Sequence, residues 1–139
     1  MRLAYRLSSE PVMRAPIYDL PVATLVLAPV AGQAARANEL RLHGHPAWVA
    51  ANDADLTWLY EHAHARPEYS LVDLSSWDAD RPLAALVAVA ALARRASLPL
   101  VLVGAEAYEV PVFDGVVACL PRGSGVRDIV GAMRRVAAA

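Results

Sequence analysis

The chain has 139 residues, 57% of them hydrophobic and 19% charged, which is enough apolar material for one buried core and too much for a disordered chain. Thirteen basic against fourteen acidic residues give a formal charge of −1, far from the basic balance that binding to a phosphate backbone favours, so no nucleic-acid partner is expected. Every basic residue is arginine, which excludes lysine Schiff bases, P-loop lysines and lysine phosphate clamps.

The single cysteine, Cys119, has no partner for an internal disulfide, and residues 1–10 carry charges without the apolar run of a signal peptide. The longest uncharged stretches, 20–35 and 82–93, are broken by proline, glycine or alternating alanine and fall short of the roughly 18 apolar residues a membrane helix needs. A cytoplasmic protein with no membrane partner is the expectation.

Residues 1–20, rich in Pro, Arg and Tyr, read as an N-terminal arm with at most an edge strand over 2–7. From residue 21 onward short apolar runs alternate with helix-length segments, the pattern of βαβ units around a parallel sheet. The first strand is 23–28 (ATLVLA), apolar throughout as a strand buried on both faces must be. A helix over 31–43 follows and stops at Gly44. The second strand is 46–51. Asn52 or Asp53 caps a second helix whose Leu56, Leu59, Tyr60 and Ala63 share one face, and Pro67 ends it.

The third strand, 69–74 (YSLVDL), leads through a polar loop into a helix with an apolar face of Leu83, Leu86, Val87, Ala90 and Ala91. Arg94 and Arg95 in its last turn suit the negative end of the helix dipole. Residues 98–103 (LPLVLV) form the fourth strand. Pro111 leaves 106–115 a loop with at most one helical turn. The fifth strand is 116–120 (VVACL), and Ser124 caps a last helix with Val126, Ile129, Val130, Met133 and Val136 on one face.

The run Ser70-Leu71-Val72-Asp73-Leu74, then a helix ending in Arg94-Arg95, then Leu98-Pro99-Leu100-Val101-Leu102-Val103, resembles the receiver domain of two-component response regulators. Asn52-Asp53-Ala54-Asp55 resembles that family's acidic turn after its second strand. The resemblance covers about residues 21–136 and rests on pattern more than on a diagnostic motif. It implies an α/β, flavodoxin-like (βα)5 fold: a doubly wound parallel sheet of strand order 2-1-3-4-5, here with a shortened or missing fourth helix. The arm would be 1–20 and the receiver-like domain 21–139.

The resemblance puts the phosphoacceptor aspartate at Asp73, yet its helpers are missing. Ala28, Pro29 and Val30 stand where the family keeps two Mg²⁺-binding carboxylates, Val103 or Gly104 where it keeps a hydroxyl, and Pro121 and Arg122 where it keeps a lysine. Phosphoryl transfer rests on metal and positive charge, so Asp73 is expected to be inert. Arg122 is a candidate salt-bridge partner for it. The expected function is then a phosphorylation-independent, receiver-like signalling or scaffold domain, a pseudo-receiver that is not an enzyme, uses no cofactor or metal, and acts on a protein partner. Ser75 and Ser76 after Asp73 carry a competing resemblance to STAS domains of anti-sigma-factor antagonists, with one of these serines as phosphosite.

His43, His45, His62 and His64 fall at one edge of such a sheet, within reach of a shared metal. The i, i+2 spacing of His62 and His64 on a helix turns them apart, and solvated or core-satisfied histidines are the plainer reading. Trp48 reads as core, Trp58 as partly exposed, and Cys119 as a small buried hydrophobe. Without a full fourth helix, apolar surface is expected around the fifth strand and the inner flank of the last helix. Phe113, Val117, Cys119, Val126 and Val130 are the interface candidates there, with Val110 and Val112 adding to the surface. A C2 homodimer is the expected assembly.

Overall fold

The computed structural model describes residues 21–28, 34–62, 66–75, 83–105 and 113–138. The expectations for the arm, Pro29, Val30, Ala63, His64, Ser76, Val110, Val112 and the segment 106–112 lie outside those residues. In chain order the elements are β1 (Thr24–Leu27), α1 (Ala35–Leu42), β2 (Ala47–Ala50), α2 (Asp53–His62), β3 (Tyr69–Asp73), α3 (Leu83–Ala96), β4 (Leu100–Val103), β5 (Val116–Leu120) and α4 (Val126–Ala138). The five strands form one sheet of order β2-β1-β3-β4-β5, every pairing parallel. This is the doubly wound order expected from the sequence.

A parallel sheet covered on both faces needs apolar residues at odd and even positions alike. In β1, Leu25 and Leu27 point into one layer and Val26 into the other. The first layer holds Leu56 and Leu59 of α2 and Leu86, Val89, Leu92, Ala93 and Ala96 of α3 against Val72, Leu100 and Leu102. The second holds Ala37 and Leu40 of α1 and Val126, Ile129, Val130 and Met133 of α4 against Leu71, Val101 and Val103. Tyr69 donates its hydroxyl to the Met133 carbonyl at 2.8 Å, pinning α4 to the start of β3.

Local signals end the helices where side-chain chemistry dictates. Gly44 at φ +85° ends the turn after α1, a backbone conformation that costs glycine nothing. Asn52 Oδ1 accepts the Asp55 N–H at 2.9 Å and Asp55 Oδ2 accepts the Ala51 N–H at 2.8 Å, a reciprocal capping arrangement that starts α2.

Two expectations need correction. Val87 is half exposed, and the buried stripe of α3 runs through Leu86, Val89, Ala90 and Ala93. That helix is apolar nearly all round, so its sequence gives no basis for choosing a face. Ser124 does not cap α4: its hydroxyl turns back to the Pro121 carbonyl at 2.8 Å, and Asp128 Oδ2 accepts the N–H of Gly125, one residue later.

Ile129 is fully buried beneath the sheet. Ile129→Ala is expected to cost about 2–5 kcal/mol through lost transfer energy and a residual cavity. Arg127→Ala, on the exposed side of the same helix, should stay within about 0.5 kcal/mol. Urea unfolding of the two variants checks the pair of values; equal values would contradict the packing of α4.

Candidate functional site

Asp73 is the last residue of β3, level with Val103 of β4, at the carboxyl edge of the sheet. The strand order reverses between β1 and β3, and in open α/β sheets ligands bind in the crevice outside such a reversal. The Asp73 side chain is only 14% exposed, so its charge needs a partner. Oδ1 accepts the Ser75 N–H at 2.9 Å, an Asx turn. Oδ2 accepts a hydrogen bond from Arg36 Nε at 2.9 Å, and Nη2 of the same guanidinium stands 2.7 Å from it in an ion pair. Arg36 is 13% exposed, and its remaining Nη1 donates to Glu39 Oε1 at 2.9 Å. Charge-assisted bonds in so enclosed a place are stronger than surface ion pairs.

The cation on Asp73 therefore comes from α1, not from the segment after β5. Arg122 donates instead to the Ser75 carbonyl, at 2.8 Å. α1 leaves β1, the direct neighbour of β3, and so begins beside Asp73. Helices of a βα unit begin over the carboxyl edge, so an arginine in the first turn of α1 was the signal available in the sequence.

The other positions around Asp73 are apolar or filled. Ala28 is buried at the end of β1 with its N–H on the Ala50 carbonyl. Val103 is fully buried. Gly104 sits at φ +76°, and a Cβ there would stand 2.6 Å from Ser75 Oγ and 2.8 Å from Ser75 N, so no hydroxyl-bearing side chain fits. Pro121 and Arg122 are exposed. A divalent cation needs free oxygen lone pairs, and both Asp73 oxygens are already engaged, one by a fixed positive charge. Among the described residues no group of three or more His, Cys, Asp or Glu side chains could hold a metal. The residues present do not fit the cation that the resemblance implies.

The histidines have separate tasks. His43 donates from Nδ1 to the Glu39 carbonyl and His62 to the Trp58 carbonyl, each at 2.8 Å. His62 also stacks on Trp58, with ring centroids 4.6 Å apart, on an exposed side of α2. His45 Nδ1 accepts the Val22 N–H at 3.2 Å.

Of the interface candidates, Val126 and Val130 are buried in the layer under α4 and offer no surface, because their stripe faces the sheet. Phe113 is half-buried and packs onto the layer of α2 and α3. Val117 and Cys119 are exposed on β5, which corrects the expectation of a buried cysteine. Cys119 lines an open hollow of about 530 Å³ with Ala105, Leu120 and Pro121. Trp48 is half-buried against the core, and Trp58 is exposed.

No protein-family model matches the chain, and no curated protein matches it in sequence. Its fold is similar to solved response regulators. A response regulator from Thermotoga maritima aligns with TM-score 0.53 at 12% identity, over 86% of this chain and 100% of its own. A receiver domain from Clostridium thermocellum aligns with TM-score 0.52 at 10% identity, over 82% and 92%. The N-terminal domain of a response regulator/sensory box/GGDEF protein from Carboxydothermus hydrogenoformans gives TM-score 0.50 at 14% identity, over 81% and 91%. The chain has the receiver-domain fold.

Arg36→Ala and Asp73→Ala form a test of the ion pair. The double-mutant cycle is expected to give a coupling of about 1–3 kcal/mol by urea unfolding. Arg122→Ala combined with Asp73→Ala should be additive within about 0.5 kcal/mol. A larger coupling to Arg122 than to Arg36 would reverse the assignment.

Proposed function

We propose that the chain is a receiver-like signalling or scaffold domain that works without phosphorylation, through contacts with a protein partner. One observation carries this reading: the carboxylate at the phosphoacceptor position is held by Arg36 on one oxygen and by a backbone N–H on the other. A nucleophilic carboxylate needs an accessible lone pair, and transfer of a phosphoryl group needs positive charge on the group transferred. Here the positive charge is spent on the nucleophile. Ala28 brings no carboxylate, and no hydroxyl-bearing side chain fits at Gly104. The reading is of a non-enzymatic cytoplasmic domain; no described helix is long and apolar enough to cross a membrane. The all-parallel sheet and the helix between β1 and β2 speak for this over a STAS domain, whose sheet would be mixed and open with a hairpin.

Incubation with acetyl phosphate and Mg²⁺ followed by intact-protein mass measurement is the test. The mass should stay unchanged. Stoichiometric phosphorylation at Asp73 would overturn the proposal, and phosphorylation at Ser75 or Ser76 after kinase treatment would favour the STAS reading.

The exposed Val117 and Cys119 on an edge strand support a homodimer through β5, since an apolar edge is a template for pairing. Sedimentation equilibrium at micromolar concentration is expected to show a mass rising from 14.9 kDa towards twice that value. Val117→Glu should hold it at the monomer. A wild-type mass that does not rise with concentration refutes the dimer.

A further inference from the structure

At the amino edge of the sheet, opposite Asp73, the chain leads into β1 through Val22, whose side chain is buried in the layer of α1 and α4. The Val22 N–H precedes the sheet ladder, which begins with Thr24 N–H on the Pro46 carbonyl at 3.0 Å. A backbone donor on a buried residue needs an acceptor, and the contact here is part-buried. It finds one in a side chain, His45 Nδ1 at 3.2 Å. The His45 backbone is itself fixed, its N–H on the Leu40 carbonyl at 2.9 Å, so the ring is delivered from the turn between α1 and β2.

An imidazole nitrogen accepts only while it is unprotonated, so this contact requires the neutral ring with its proton on Nε2. We propose that His45 is a proton-operated latch on the segment that leads into β1, closed when the ring is neutral and released when it is protonated. Protonation turns the Nδ1 acceptor into a donor facing the Val22 N–H. It also adds positive charge beside positive groups. The charges acting on the ring are Arg134 of α4 and His43 of the same turn. On the far side of β1, Glu68 is tied by its backbone N–H to the Ala23 carbonyl, at 2.8 Å. Burial first, then Arg134, then His43, hold the His45 pKa below the ordinary histidine value of 6.5. The unfolded chain therefore takes up this proton before the folded one. The latch's contribution to stability is fully present above pH 6.5, and it is lost as pH falls through the lower folded value.

The inference is independent of the fate of Asp73. Its test is NMR of the full chain: the hydrogen-exchange protection factor of the Val22 amide at pH 8 and at a pH about one unit or more below the His45 midpoint, which the ¹⁵N shifts of the ring nitrogens locate. The Val22 protection factor should fall about tenfold or more between the two values, while that of Val101 in β4 changes little, and the fall should track the His45 titration. His45→Gln keeps an acceptor that does not titrate, and should make Val22 protection the same at both values. His43→Gln should raise the midpoint. Equal protection in the wild type on both sides of the His45 midpoint overturns the latch, as does a fall that persists in His45→Gln. The wild-type ¹⁵N titration stands even if a variant folds poorly: a ring with its proton on Nδ1 at pH 8 also overturns it.

Discussion

Burial of both faces of the sheet is the constraint from which the rest of the structure follows. With α2 and α3 on one side and α1 and α4 on the other, a position of β1, β3 or β4 facing either way meets hydrocarbon, and a charge has no solvent to turn to. The five strands accordingly carry one charged residue between them, Asp73, at the end of β3 where the chain reaches the carboxyl edge. Even there the side chain is mostly enclosed, so it demands a counter-charge and hydrogen bonds for both oxygens. Arg36 and the Ser75 N–H meet that demand.

The identity of the counter-charge matters as much as its sign. A bound metal ion comes and goes with concentration, and a site balanced by one has two states. A guanidinium built into α1 is always charged and cannot dissociate from the chain. It also reaches the carboxylate with two nitrogens on one oxygen, while its third nitrogen is held by Glu39, so the arginine is fixed from both ends. Gly104 completes the closure, because its missing side chain lets Ser75 lie against the end of β4. Around Asp73 the carboxyl edge is thus neutralised, and the geometry leaves that carboxylate little to switch.

What the sequence discloses follows from the same constraint. The strands were legible because both-face burial forces uninterrupted apolar runs, and ATLVLA or LPLVLV admit few other readings; β5 matched residue for residue. The alternation of these runs with helices, joined to the family resemblance, carried the order 2-1-3-4-5. The α4 stripe was legible because Arg127, Asp128 and Arg134 mark its other faces. The face of α3 was not, since LAALVAVAALA offers no polar side to orient it. The partner of Asp73 was missed for a different reason: an ion pair depends on which elements stand side by side, and periodicity along one segment says nothing of that. Arg122 sits where a family pattern would look for a cation, but its guanidinium donates to the Ser75 carbonyl instead. Cys119 misled because a cysteine in an apolar strand looks buried, and only the edge position of β5 exposes it.

The two ends of the sheet differ in what kind of change they permit. At the carboxyl edge the paired groups are a carboxylate and a guanidinium, and an arginine keeps its proton throughout the physiological range. At the amino edge the contact is between a backbone N–H and an imidazole, whose charge changes close to neutrality. Burial of Val22 enforces the second contact as burial of β3 enforces the first, and burial together with the Arg134 guanidinium opposes the protonation of His45. A fold whose usual control lies at the carboxyl edge has there a static ion pair. The titratable contact stands at the other end, where helix C-termini and strand beginnings meet and where the chain upstream of β1 joins the sheet. On the proposed readings, control of this domain moves from the crevice above the strands to the edge beneath them and to the exposed side of β5.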